Sequence, residues 1–173
     1  MTSHSITATE DNTTVKKLRE QFADDMVEVS IFRDEVTVRI RASAVIPICR
    51  FLKDEESLQY NFLIDVTSVD YPDRAERFDV VYHLYSLSNN DRLRLKTGVG
   101  GDQPSIDSVT SVWKTANWLE REVFDLMGIH FKGHPDLRRI VLPDDWEGHP
   151  LRKDYPLKGP NSDGTPQEVE HYG

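Results

Sequence analysis

The chain has 173 residues, a formal net charge of −9 and 38% hydrophobic residues, which suits one domain with a real core. The negative balance argues against non-specific binding to nucleic acid or to an anionic membrane, because both require a basic surface. Cys49 is the only cysteine, which excludes an internal disulfide, and also an iron–sulfur cluster or cysteine-based zinc site built by this chain alone.

Hydrophobic periodicity and turn residues divide the chain into elements. In chain order the sequence predicts a disordered arm (1–13), a short amphipathic helix (14–23), the two strands of a β-hairpin (26–32 and 35–41), a helix from Ala44, three strands (61–71, 77–87 and 92–99), a loop (100–108) and a helix that begins near Val109 and stops at Gly128. The polar positions 110–111 and Lys114 leave room for a break between a short first turn and the main helix. Ser43 is expected to cap the second helix, which turns Cys49 inward as an inert thiol.

These elements predict an α+β fold in a single domain. Short connections between the last three strands favour antiparallel pairing, so we expect a mixed, mainly antiparallel five-stranded sheet with helices packed on it. The body is predicted to span 14–128, and residues 129–173 to form an extended C-terminal interaction tail. The chain has no apolar signal segment and no run of about 18 apolar residues, so no secretory or membrane-spanning segment is expected.

The tail is rich in proline and glycine, which makes regular structure after Gly128 unexpected. It also contains aromatic residues, notably Trp146 and Tyr155, of the kind that become buried at protein interfaces. Proline lowers the entropy cost of holding such a segment against a partner. The composition therefore favours an ordered interaction segment over a flexible linker.

The last predicted helix contains the charged sequence Glu120–Arg121–Glu122, followed by Asp125. Its carboxylates could bind a cation or act as an acid–base pair. The structural interpretation is favoured: the carboxylates receive Arg138 and Arg139 of the tail in bidentate pairs. Glu120 lies next to the apolar stripe, so we expect it to be partly buried and to need a partner.

Two histidines, His134 and His149, occur in identical Gly-His-Pro contexts with aspartates nearby. Two histidines and one carboxylate can hold a metal in principle, which leaves a small metal-dependent enzyme as an alternative. However, the two residues are fifteen positions apart in an irregular segment, whereas metal-binding pairs are normally held on rigid elements. A histidine before proline can instead cap a turn or bond a neighbouring carboxylate.

Motifs of phosphate-binding loops, dinucleotide-binding folds and serine nucleophile elbows are absent from the sequence. The residues alone therefore indicate a scaffold or interaction subunit without its own active site. A free-standing adaptor differs from this interpretation only in its partner.

Three blocks of the sequence resemble a known signature: EREVFDLMGI (120–129), GHPDLRRI (133–140) and PDDWEGHPLRKDYP (143–156). Together with FLIDVTSVDY and FDVVYHLYSL in the body, they resemble the 30 kDa subunit of respiratory complex I, which in bacteria is the proton-translocating NADH:quinone oxidoreductase. The resemblance covers about residues 15–157. Related membrane-bound hydrogenases contain similar subunits, so NADH as electron donor is implied by the resemblance alone.

The resemblance implies a non-catalytic subunit of the peripheral arm, on the cytoplasmic side of the cell inner membrane. It implies no cofactor in this chain, with FMN and iron–sulfur clusters in partner subunits. The implied partners are the large hydrogenase-like (49 kDa-type) subunit and the iron–sulfur subunits, with the tail wrapped over its neighbours. The residues expected to fix the tail or to meet a partner are Glu120, Arg121, Glu122, Asp125, His134, Arg138, Arg139, Asp144, Asp145, Trp146, His149, Arg152 and Tyr155.

Overall fold

A mixed five-stranded sheet organises the fold in a computed structural model that describes residues 12–157. The elements in chain order are α1 (Thr13–Phe22), β1 (Met26–Phe32), β2 (Glu35–Ile40), α2 (Val45–Asp54), β3 (Phe62–Asp70), β4 (Phe78–Ser86), β5 (Asp91–Val99), β6 (Ser105–Asp107), α3 (Ala116–Met127) and β7 (His130–Lys132). Turns of 3-10 helix occupy Ala23–Asp25, Ala42–Ala44 and Val109–Ser111. The predicted α+β class is confirmed, whereas most of the predicted N-terminal arm and residues 158–173 of the tail lie outside the described range.

The strand order in the sheet is β1-β2-β5-β4-β3. Neighbouring strands pair antiparallel except β2 and β5, which pair in parallel, so the prediction of a mixed, mainly antiparallel sheet is confirmed. Arg33 and Asp34 both have positive φ, at 51° and 64°, in the two-residue turn between β1 and β2. Such a turn matches the twist of a hairpin.

The core lies between the sheet and the helices. Side chains on alternate positions of β2, such as Val38 and Ile40, are buried together with Leu18 of α1 and with Leu52 of α2. Cys49 of α2 is fully buried in the same cluster, and burial raises the pKa of its thiol well above the usual range. The predicted burial of this thiol is confirmed.

The structure corrects three local predictions. The predicted loop at 100–108 and the supposedly irregular segment after Gly128 each contribute a short strand, and β6 and β7 pair in parallel. Each strand has three residues with a single buried apolar side chain, Ile106 or Phe131, so no alternation is visible in the sequence. Ser43 does not cap α2, because a 3-10 turn precedes the helix and the capping position falls on Ala44.

No helix within residues 12–157 is long and apolar enough to cross a membrane.

Candidate functional site

Helix α3 lies between the core and the first part of the C-terminal segment 133–157, which we call the strap. The helix ends at Met127, and the next residue, Gly128, adopts the left-handed conformation (φ 70°) expected of a helix stop. Val123 and Met127 face the core. Arg121 and Asp125, one turn apart, face the strap and bind it. The helix therefore contacts the core on one side and the strap on another.

The carboxylate of Asp125 is the central anchor of the strap. It is fully buried, and its Oδ2 accepts hydrogen bonds from the backbone N–H groups of Ile140, Val141 and Leu142 at 3.0, 2.8 and 2.9 Å. Its Oδ1 accepts a bond of 2.7 Å from Arg139 Nη1. Burial by itself would raise the pKa of Asp125, but these four hydrogen bonds outweigh it and the pKa lies below its usual value.

Two arginines close the start of the strap against α3. Arg139 Nη2 donates to the carbonyl of Trp146 at 2.9 Å, which closes the loop between these two residues. Arg121 donates through Nε and Nη2 to the carbonyls of Arg138 and Arg139 at 3.1 and 3.0 Å. The prediction that both tail arginines return to helix carboxylates is wrong for Arg138, which pairs with the exposed Asp136. Arg139 in turn binds Asp125 through one nitrogen rather than bidentately.

The next part of the strap satisfies the carbonyl groups that the end of α3 leaves unpaired. His149 Nδ1–H donates to the carbonyl of Asp125 at 2.8 Å, Leu151 N–H to that of Leu126 at 3.1 Å, and Arg152 Nε–H to that of Met127 at 2.7 Å. Burial lowers the pKa of His149, which favours the neutral ring. This segment therefore serves as the C-terminal cap of α3.

The end of the strap is attached to the β3–β4 hairpin. Arg77 binds Asp70 through Nε and Nη2, both at 2.7 Å, and its Nη1 binds Asp154 at 2.8 Å. Asp70 also accepts the backbone N–H of Lys153 at 2.8 Å. The guanidinium of Arg152 lies 5.2 Å from the ring centre of Phe78. The tail thus folds back on its own body over the described residues.

His134 and Tyr155 of the strap also have structural contacts. His134 Nε2–H donates to the carbonyl of Asn117 at 3.0 Å, and its Nδ1 accepts the backbone N–H of Asp136 at 3.0 Å, as expected of a turn-capping histidine. Tyr155 donates to the carbonyl of Glu147 at 3.3 Å. Both rings are therefore engaged in fixing turns.

Glu120 lies on the body side of α3 rather than on the strap side. It is fully buried and accepts bonds from Ser108 Oγ at 2.6 Å and from the backbone N–H of Val109 at 2.7 Å. Burial raises its pKa from 4.5 to about 7, although both hydrogen bonds oppose the shift. The expectation that Glu120 is buried and partnered is confirmed. Its partners are in the turn before α3, and the expected contact with the tail arginines is not present.

The remaining candidate residues lie at the surface. Glu122, Asp144 and Asp145 are exposed, while Trp146 is half-buried. Within residues 12–157 no cluster of three or more histidine, cysteine, aspartate or glutamate side chains is arranged to hold a metal ion. The contacts made by the backbone N–H groups of 140–142 and of Leu151 had no signal in the sequence, because any residue other than proline can supply such a group.

Replacing Gly128 with alanine should loosen the strap. A Cβ there would overlap Arg152 Nη2 and lie 2.5 Å from the His149 ring, and the left-handed backbone costs a further ~1–2 kcal/mol. We expect tryptic cleavage of the strap about tenfold faster than in the wild type. Gly133→Ala is the matched control, because Gly133 has a similar φ of 78° and nothing within 4 Å of the added carbon. Equal cleavage of the two variants would contradict the role of Gly128.

Comparison with known proteins identifies relatives along most of the chain. The family described as the 30 kDa subunit of respiratory-chain NADH dehydrogenase matches residues 38–161, a range that includes α3 and the whole strap. The corresponding subunit of the NADH-quinone oxidoreductase of Geobacter sulfurreducens is 61% identical over 153 residues, covering 88% of this chain and 93% of that protein. Its counterpart from a Roseiflexus species is 48% identical over 148 residues, covering 85% of each.

Solved structures share the fold. The trypsin-resistant fragment (1–134) of Nqo5 has a TM-score of 0.60 and 32% identity, covering 70% of this chain and 97% of that one. A chain of the membrane-bound sulfane sulfur reductase, an archaeal respiratory membrane complex, has a TM-score of 0.72 and 25% identity, covering 83% and 84%. The protein therefore belongs to the family of the 30 kDa subunit of respiratory-chain NADH dehydrogenase.

Proposed function

We propose that this chain is a non-catalytic structural and assembly subunit in the peripheral arm of an NADH:quinone oxidoreductase of the complex I type. In that role it supports electron transfer from NADH, through iron–sulfur clusters in other subunits, to quinone, coupled to proton translocation. One observation supports this most directly: the reactive side chains of the signature bind backbone groups of the chain itself. Asp125, His134, His149 and Arg152 all do so.

The redox cofactors are assigned by this proposal to other subunits. Cys49, the single cysteine, is buried in the core between sheet and helices, where it cannot ligate a cluster together with partner residues. FMN and the iron–sulfur clusters accordingly belong to the partners. The contribution of this chain is to fix the arrangement of its neighbours.

The proposed partners are the large hydrogenase-like (49 kDa-type) subunit and the iron–sulfur subunits of the arm. Relatives with close to half or more of their residues identical are named as subunits of NADH-quinone oxidoreductase, which supports a hetero-oligomer. We place the chain on the cytoplasmic side of the inner membrane, attached through the complex. The residues of the strap and of α3 that do not hold the strap, such as Glu122, Asp144 and Asp145, are proposed to face a partner.

A related membrane-bound respiratory complex with another electron donor is the second candidate. The structural similarity to a chain of the sulfane sulfur reductase supports it. Membranes from cells that lack this chain distinguish the two. Loss of NADH-dependent quinone reduction is expected, and its retention together with loss of another respiratory activity would favour the second candidate.

Co-expression tests the proposed role. The tagged full chain is expected to recover the large hydrogenase-like subunit, with an untagged chain as the control. Purified alone, it should be colourless and contain no stoichiometric metal. Zinc, iron or manganese in a one-to-one ratio, lost on His134→Ala, would instead support the metal-dependent enzyme, although the contacts of both histidine rings argue against it.

A further inference from the structure

Three large apolar side chains are exposed where α3 meets the strap. Trp118 is 61% exposed, Val141 57% and Ile140 38%. Arg121 connects them: its guanidinium lies 5.0 Å from the Trp118 ring centre, and it donates to the carbonyl of Arg139, the residue before Ile140. These side chains therefore belong to one surface, to which both the helix and the strap contribute.

The exposure of Ile140 and Val141 follows from how the strap is anchored. The backbone N–H groups of Ile140 and Val141 are directed to the buried carboxylate of Asp125. The polar backbone groups of this segment thus face the body, and the side chains of Ile140 and Val141 remain in solvent. Several large apolar side chains exposed on one surface are typical of a protein interaction site.

Three acidic residues that are unpaired in the described part of the chain lie around the patch, whereas the exposed Arg138 beside it is paired with Asp136. Glu122 follows Trp118 by one helical turn and shares its face of α3. Asp144 and Asp145 lie in the loop that Arg139 closes by its bond to the Trp146 carbonyl. All three residues are exposed, and within residues 12–157 their carboxylates take part in no ion pair or hydrogen bond. Uncompensated acidic groups around an apolar patch are complementary to a basic border on a partner.

We propose that α3 and the strap form a composite docking surface for an apolar groove bordered by lysine and arginine on the large hydrogenase-like subunit. Trp118, Ile140 and Val141 enter the groove, and Glu122, Asp144 and Asp145 face its basic border. This inference rests on the proposed function, since it describes the surface through which a structural subunit is held. The surface exists only while Asp125 and Arg139 keep the strap on the helix, so a free strap peptide lacks half of it.

Recovery of the assembled complex tests the surface. The tagged full chain is expressed in cells that lack their own copy, and the complex is purified from detergent-solubilised membranes. Val141→Asp and Trp118→Ala are each expected to lower the recovered complex at least tenfold. Phe32→Ala is the matched control, because Phe32 is 69% exposed but ends β1, at the sheet edge opposite β3. Since all three side chains are exposed, thermal melting of the isolated variants should match the wild type.

A second variant tests the acidic border. Asp144→Asn combined with Asp145→Asn should make association slower and less dependent on salt concentration. Unchanged recovery for Val141→Asp and Trp118→Ala, or equal loss for Phe32→Ala, would overturn the proposal. So would a dimer of the isolated chain that Val141→Asp abolishes, because the occupant would then be a second copy. If the complex recovered with the wild type lacks the large hydrogenase-like subunit, the proposed partner is wrong. Val141→Asp and Trp118→Ala then still test whether this surface holds the chain in the complex.

Discussion

Replacing Asp125 with asparagine is expected to accelerate tryptic cleavage of the strap about 100-fold. The substitution breaks a buried ion pair with Arg139. In either orientation, the side-chain amide group of asparagine directs an N–H toward another hydrogen-bond donor. That donor is Arg139 in one orientation and the backbone N–H groups of 140–142 in the other. Removing one partner of a buried, hydrogen-bonded charge typically costs about 3 kcal/mol, and each ~1.4 kcal/mol changes an equilibrium tenfold. Cleavage follows the population of the open form when opening and closing are fast.

Limited proteolysis of the full chain measures this effect, because trypsin can cut after Arg138, Arg139, Arg152 and Lys153 once the strap is released. Asp136→Asn is the matched control: Asp136 belongs to an exposed pair with Arg138, and such pairs contribute little. Cleavage of Asp125→Asn at the wild-type rate would contradict the anchor. Unfolding of the whole domain in this variant would show that the strap belongs to the core.

The same anchor should weaken in acid. The pKa of Asp125 is lower in the folded protein than in the unfolded chain. Its stabilisation of the strap is therefore fully present above the unfolded pKa, and it is lost as the pH falls through the folded pKa. Faster cleavage by an acid-active protease below about pH 4 is the expected result.

Replacing Glu120 with glutamine is expected to stabilise the body above pH 7 by up to about 3 kcal/mol. Burial raises the pKa of Glu120 from 4.5 to about 7, so the ionised form is disfavoured in the folded state. Below pH 4.5 Glu120 is protonated in both the folded and the unfolded state, so its ionisation does not destabilise the fold. As the pH rises from 4.5 to about 7, the unfolded chain ionises first and the folded protein loses stability. Glutamine is isosteric, can accept the Val109 N–H, and does not ionise.

Chemical denaturation at about pH 5 and about pH 8 measures this difference, since the two values bracket the shifted pKa. The wild type should lose stability between them relative to Glu120→Gln, whereas the variant should lack this component. Glu122→Gln is the matched control, because Glu122 is an exposed glutamate two residues further along the helix. If the free energy of unfolding changed with pH in the same way for the wild type and for Glu120→Gln, Glu120 would stay ionised in the folded protein. The contribution of Glu120 to stability changes at higher pH than that of Asp125, so the two effects can be measured separately.

Regular elements with enough residues to show a period could be predicted from the sequence. The alternation in 26–41, the strands within 61–99 and the apolar stripe that ends at Gly128 each repeat over several turns or strand positions. The family was likewise evident from contiguous blocks between 120 and 156. Even the burial of Glu120 followed from its place beside the apolar stripe, because local spacing sets which face of a helix is covered.

The way in which the strap is held became visible only in three dimensions. A segment rich in proline and glycine has no period, so its path cannot be extrapolated from neighbouring residues. The contacts of Asp125 with 139–142, of α3 carbonyls with 149–152, and of Asp70 with Lys153 join residues from 14 to 83 positions apart. Most of these bonds use backbone groups, which every sequence contains and which therefore carry no sequence signal.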